Sequence, residues 1–93
     1  MEDLTRRIQD ISSRPYNVRN VLYDKMTQVF PPRWGVIKEV SLQSVWVELA
    51  TYVRFPDAQS YDVPKLVTRI WNSDKKDTLE RLLDETHETI HRP

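Results

Sequence analysis

The chain is 93 residues long, with 14 basic residues, 14 acidic residues and no cysteine. A chain of this length forms one domain around a single modest core. Disulfides and thiolate metal sites are excluded, and zero net charge argues against a protein whose affinity comes mainly from neutralising nucleic-acid phosphates.

There is one glycine and no Asn-Gly or Asp-Gly pair, so tight hairpins lack their turn residues and an all-α fold is expected. No apolar run approaches the ~20 residues of a membrane span, and no signal-like apolar stretch opens the chain. A cytoplasmic protein is expected.

Residues Glu2–Ile11 place Leu4, Ile8 and Ile11 on one helical side, and Ser12-Ser13-Arg14-Pro15 breaks the pattern. This stretch, residues 1–14, reads as an N-terminal helix or tail ahead of a helical interaction domain over residues 15–93. Asn17 is the expected N-cap of a second helix, Val18–Phe30, with Val18, Val21, Leu22, Met26 and Val29 inward. Pro31-Pro32 ends it. Arg33–Val40 reads as a third, shorter helix with Trp34, Ile37 and Val40 in register, with a strand the minority reading because Val36, Ile37 and Val40 are β-branched.

Ser41 or Ser44 opens the fourth predicted helix, Ser44–Val53. Trp46, Leu49, Ala50 and Val53 form its stripe, and Val45, Val47 and Tyr52 widen it, so burial on more than one side is expected. Residues 54–61 form a loop punctuated by Pro56-Asp57. Asp62 caps the fifth helix, Val63–Trp71, with Pro64 in the first turn, where a missing amide costs nothing. After a polar break at Asn72–Lys76, Leu79, Leu82, Leu83, Thr86 and Ile90 form the strongest stripe, over Asp77–His91. Asp77 and Glu80 make a capping-box-like start to it. The expected architecture is a compact six-helix bundle.

His87-Glu88-Thr89-Ile90-His91 spells H-E-x-x-H, the pattern in which two histidines one turn apart bind zinc and the glutamate acts as general base. Asp84 is the nearest stand-in for a third ligand. A small zinc-dependent hydrolase is therefore the alternative reading. The preferred one makes this stretch a solvated last turn, where histidine complements the negative end of the helix dipole. No catalytic residues, metal or cofactor are assigned. Trp34, Trp46 and Trp71 lie on inferred inward faces and read as core rather than as stacking platforms.

Charge is unevenly distributed. Residues 77–93 hold five acidic and two basic residues, while Arg54, Lys65, Arg69, Lys75 and Lys76 cluster just before them. Patches of opposite sign suit an interaction module, because complementary fields steer and select partners.

Trp46-Val47-Glu48-Leu49-Ala50 is similar to the W-x-x-L-A helix of the death domain family, with Trp34-x-x-Ile37 an alternative occupant of the same role. Thr51-Tyr52-Val53 is similar to the residues just after that motif in Pelle, Tube and the interleukin-1-receptor-associated kinases. Leu66-Val67 and Trp71, then Thr78-Leu79 and Leu82-Leu83, resemble the family's closing helices, and Pro15-Tyr16-Asn17-Val18-Arg19 its first.

The resemblance implies a six-helix death fold and a non-enzymatic adaptor. Such an adaptor docks another death-domain or helical signalling protein to assemble a signalling complex, as a heterodimer or a larger assembly. It places partner contacts at Arg54, Asp57, Lys65, Arg69, Asp74, Lys75 and Lys76.

Overall fold

The computed structural model describes residues 2–30 and 40–91, with only the backbone of residues 40 and 41. Among the described residues there are five helices and no strand: α1 (Glu2–Ser12), α2 (Tyr16–Thr27), α3 (Val40–Arg54), α4 (Val63–Trp71) and α5 (Lys76–Ile90). The helix expected over Arg33–Val40 lies outside the described residues, except that Val40 opens α3.

The helices bury the stripes that their spacing marks out. Leu4, Ile8 and Ile11 of α1 meet Leu22 and Met26 of α2, and Trp46, Leu49, Ala50 and Val53 of α3, in one core. Val63, Leu66, Val67 and Ile70 of α4 and Leu79, Leu82 and Leu83 of α5 complete it. The segment set apart in sequence as a helix or tail packs against all four other helices. The radius of gyration, 12.9 Å, is close to the ~12 Å expected of a folded chain of this length.

Two polar ties join helices, and a third buried hydroxyl is satisfied within its own helix. Trp46 is 1% exposed, and its Nε1–H donates to the Met26 carbonyl oxygen at 2.8 Å, joining α3 to the end of α2. The Phe30 ring meets the Trp46 ring edge-on, with centroids 5.8 Å apart. Buried Ser12 donates its single hydroxyl proton to the Gln9 carbonyl oxygen at 2.8 Å, so the Tyr52 hydroxyl, also 2.8 Å away, donates to Ser12 and ties α1 to α3. Thr86, fully buried, returns its hydroxyl proton to the Leu82 carbonyl oxygen.

Four details differ from the expectations. First, α2 starts at Tyr16, with Pro15 in the N-cap position and no side-chain cap, so Asn17 lies inside the helix. The fixed φ of proline, −57° here, supplies the entry geometry that a capping side chain was expected to provide.

Second, α3 starts at Val40, a turn before Ser44, and Val47 is 54% exposed. Val45 and Tyr52 do widen the buried stripe, half-buried against the core, whereas Val47 does not. Third, α5 begins at Lys76 without a side-chain cap, and Asp77 sits in its first turn. The preceding turn is held instead by Ser73, whose Oγ donates to the Ile70 carbonyl oxygen and accepts the Lys75 N–H.

Fourth, Val18, Val21 and Trp71 are half-buried rather than fully inward. The Asp62 cap is observed, its Oδ1 accepting the Lys65 N–H at 3.2 Å. No described helix is long and apolar enough to cross a membrane.

Candidate docking surface

The residues that carry recognition chemistry on this bundle are those its core does not use. At the C-terminal end of α3, Arg54 lies where the helix meets the loop through Phe55. Its Nη2 donates to the Tyr16 hydroxyl at 2.6 Å, and its Nε to the same oxygen at 3.2 Å. Its guanidinium carbon is 4.6 Å from the Tyr23 ring centroid, 5.1 Å from that of Phe55 and 5.5 Å from that of Tyr16. Three aromatic rings thus flank one guanidinium, each at cation–π distance.

The surrounding backbone locks the arrangement. Arg19 donates from Nε to the Arg54 carbonyl oxygen at 3.2 Å and from Nη1 to the Arg14 carbonyl oxygen at 2.8 Å. These bonds satisfy the end of α3 and join it to the α1–α2 turn. Hydrogen bonding to Tyr16, followed by the weaker contribution of Tyr23, raises the Arg54 guanidinium above its ordinary value despite the opposing effect of desolvation. The group stays charged at every working pH.

Tyr16 and Phe55 are each 46% exposed. The result is an outward-facing patch of two aromatic side chains around a held arginine. Tyrosine and arginine dominate the binding energy of protein interfaces, because each combines apolar area with directed hydrogen bonds.

Arg54 is one of the seven residues the resemblance pointed to. Its ring and hydrogen-bond neighbours, Tyr16, Tyr23 and Phe55, are not among the other six. Asp57 is exposed in the loop just after Phe55, and Lys65 and Arg69 are exposed one turn apart on α4.

Asp74 is exposed in the α4–α5 turn. Lys75 and Lys76 are half-buried and lie over aromatic faces, Lys76 Nζ 3.7 Å from the Trp71 centroid and Lys75 Nζ 5.4 Å from that of Phe30. None of the expected cationic residues belongs to the core, and three of them are positioned by rings. Sequence reasoning missed Tyr16, Tyr23 and Phe55; the available signal was that these aromatics fall off the core stripes.

The H-E-x-x-H residues sit at the end of α5. His87, Glu88 and His91 are exposed, and the two imidazole rings are 4.2 Å apart. Asp84, the stand-in third ligand, is paired to Arg7 at 2.6 Å. Among the described residues no group of three His, Cys, Asp or Glu side chains is placed to hold a metal ion. The chain matches no family model, no curated protein and no solved structure.

Proposed function

We propose that this chain is a non-enzymatic protein–protein docking module, of death-domain-like type, which binds another helical signalling domain through the surface around Arg54. The observation that carries this reading is the guanidinium held between Tyr16, Tyr23 and Phe55. A side chain already ordered in the free protein loses less conformational freedom on docking, so its contacts contribute more fully to affinity.

The free edges of the guanidinium favour a carboxylate on the partner, and the exposed rings favour an apolar neighbour beside it. Asp57, Lys65, Arg69, Asp74, Lys75 and Lys76 form the charged surroundings, which select among partners and speed encounter. In this reading the death-fold likeness rests on Trp46 and Leu49 as the core of the W-x-x-L-A helix, and on Trp71 with Leu79, Leu82 and Leu83 as the closing pair.

The test is affinity capture from a eukaryotic cytosolic lysate with wild type and Arg54→Glu side by side, followed by reconstitution with the purified partner. A helical partner lost only with the variant supports the reading. Equal recovery with both baits refutes the assignment of the surface.

A further inference from the structure

The chain has four tyrosines. Tyr16 alone is exposed, while Tyr23, Tyr52 and Tyr61 are half-buried. Tyr16 opens α2, in a turn where Ser13, Pro15 and Asn17 are exposed as well. At the first position of a helix its backbone N–H has no intrahelical bond to lose, so this turn opens to another protein more readily than a helix interior.

The Tyr16 oxygen also faces a cation. It accepts from Arg54 Nη2 at 2.6 Å and from Arg54 Nε at 3.2 Å. The Arg19 guanidinium carbon lies 5.7 Å from the centroid of the same ring, and Arg19 is held by bonds to the Arg54 and Arg14 carbonyl oxygens. Among the described residues neither Arg54 nor Arg19 is paired with a carboxylate.

We infer that Tyr16 is a phosphorylation site, and that its phosphate, clamped by Arg54, switches the docking surface off. The switch rests on the reading of the Arg54 surface as the place where a partner docks. The phosphoryl donor is a nucleoside triphosphate used by a protein tyrosine kinase. The phenolic oxygen forms a bond to the γ-phosphorus, and the bond from that phosphorus to the β–γ bridging oxygen breaks. The nucleoside diphosphate leaves, and the phenolic proton passes to the kinase's general base.

The surroundings favour the product. A phosphorylated side chain carries about −1.5 to −2 charges at neutral pH and three acceptor oxygens, and it is stabilised opposite arginine and at a helix N-terminus. Tyr16 meets both conditions. The phosphorus stands one bond from the oxygen that Arg54 already contacts, so the guanidinium fork lies within reach of the new acceptors. The docking reading assigns the free edges of that guanidinium to a partner carboxylate. The phosphate takes those edges and sets negative charge where the carboxylate would come, so the partner is repelled.

The experiment uses the full chain with phosphotyrosine incorporated at Tyr16, beside the unmodified chain, each with Arg54 intact and as Arg54→Gln. Phosphorylation is expected to raise the melting midpoint by about 4–8 °C with Arg54 present and to raise it little in Arg54→Gln. By phosphorus NMR the phosphate is expected to titrate below its ordinary midpoint of about 6, and Arg54→Gln to return it towards that value. A broad-specificity tyrosine kinase domain with ATP should label Tyr16 of the unmodified chain ahead of the other three tyrosines, as read by peptide mass spectrometry. The purified helical partner should bind the phosphorylated chain at least about tenfold more weakly.

Equal changes in melting midpoint with and without Arg54 overturn the clamp, and so does a phosphate that titrates alike in both. Label on other tyrosines without Tyr16, or no label, overturns the site. Equal affinity of the phosphorylated and unmodified chains, where Arg54→Glu still loses the partner, overturns the switch. If Arg54→Glu also binds as wild type does, the docking reading fails and the switch with it, while the melting and titration results still decide the clamp.

Discussion

Replacing Trp46 by phenylalanine tests whether this tryptophan is core or recognition surface. Three losses combine. The indole N–H bond to the Met26 carbonyl oxygen contributes about 1 kcal/mol net. That oxygen keeps the Val29 N–H at 3.2 Å, so it is not orphaned and the penalty stops there.

The volume vacated in the core shared with Leu22 and Leu49 adds about 1–2 kcal/mol, below the 3–5 kcal/mol of a full Trp→Ala truncation. The edge-on contact with Phe30 weakens by a fraction of its ~1 kcal/mol. The sum is about 2–3 kcal/mol, which for a domain of this size lowers the melting midpoint by about 10–20 °C.

Thermal and urea unfolding by far-UV circular dichroism measure it directly. A fall of less than about 4 °C, equivalent to less than about 1 kcal/mol, would show that Trp46 is not packed against Met26 and Phe30 and would reopen its reading as a ligand platform. The variant is also expected to keep the Arg54 patch intact, because Tyr16, Tyr23 and Phe55 order the guanidinium without help from Trp46.

Asp62→Ala removes the hydrogen-bonded cap of α4 and is expected to cost about 1 kcal/mol, read as a 4–8 °C fall in the melting midpoint. Thr86→Val replaces a hydroxyl that only bonds back to its own helix, so stability should change by less than about 1 kcal/mol, while Thr86→Asp should prevent folding by burying an unpaired charge. Equilibration with zinc followed by gel filtration should leave less than one metal per chain, and Glu88→Gln should behave as wild type; one retained zinc would revive the hydrolase reading.

Affinity at the Arg54 surface should be flat from about pH 6 to 9. The sign follows from the raised guanidinium. Its contribution to folding stability is fully present below the unfolded value and is lost only as pH rises through the higher folded one, far above that window, so the guanidinium stays charged and in place throughout it.

Much of the fold was legible because burial imposes a helical period on the chain. Trp46, Leu49, Ala50 and Val53 recur at that period, as do Leu79, Leu82, Leu83 and Thr86, and all eight are buried. Helix starts were less legible. Asn17 has the right chemistry for a cap, but Pro15 sets the backbone two residues earlier. Val40 read as the last residue of a separate helix, with Ser41 or Ser44 opening the next, yet α3 begins at Val40 itself.

Val47 shows the limit of reading apolar content as burial: it comes directly after Trp46 and so points about 100° away from it. The Arg54 patch was half legible. Its cation stood out in the charge distribution, but Tyr16 is 38 positions away, and only the packing of α2 against α3 brings them together.

The most direct measurement is the dissociation constant of the reconstituted partner for wild type and Arg54→Lys, both with melting midpoints recorded. Lysine keeps the charge but loses the planar fork and the stacking on Tyr23 and Phe55. The account predicts at least about tenfold weaker binding with an unaltered fold. Equal affinity of the two proteins would contradict it, because charge alone would then suffice and the aromatic clamp around Arg54 would have no part in docking.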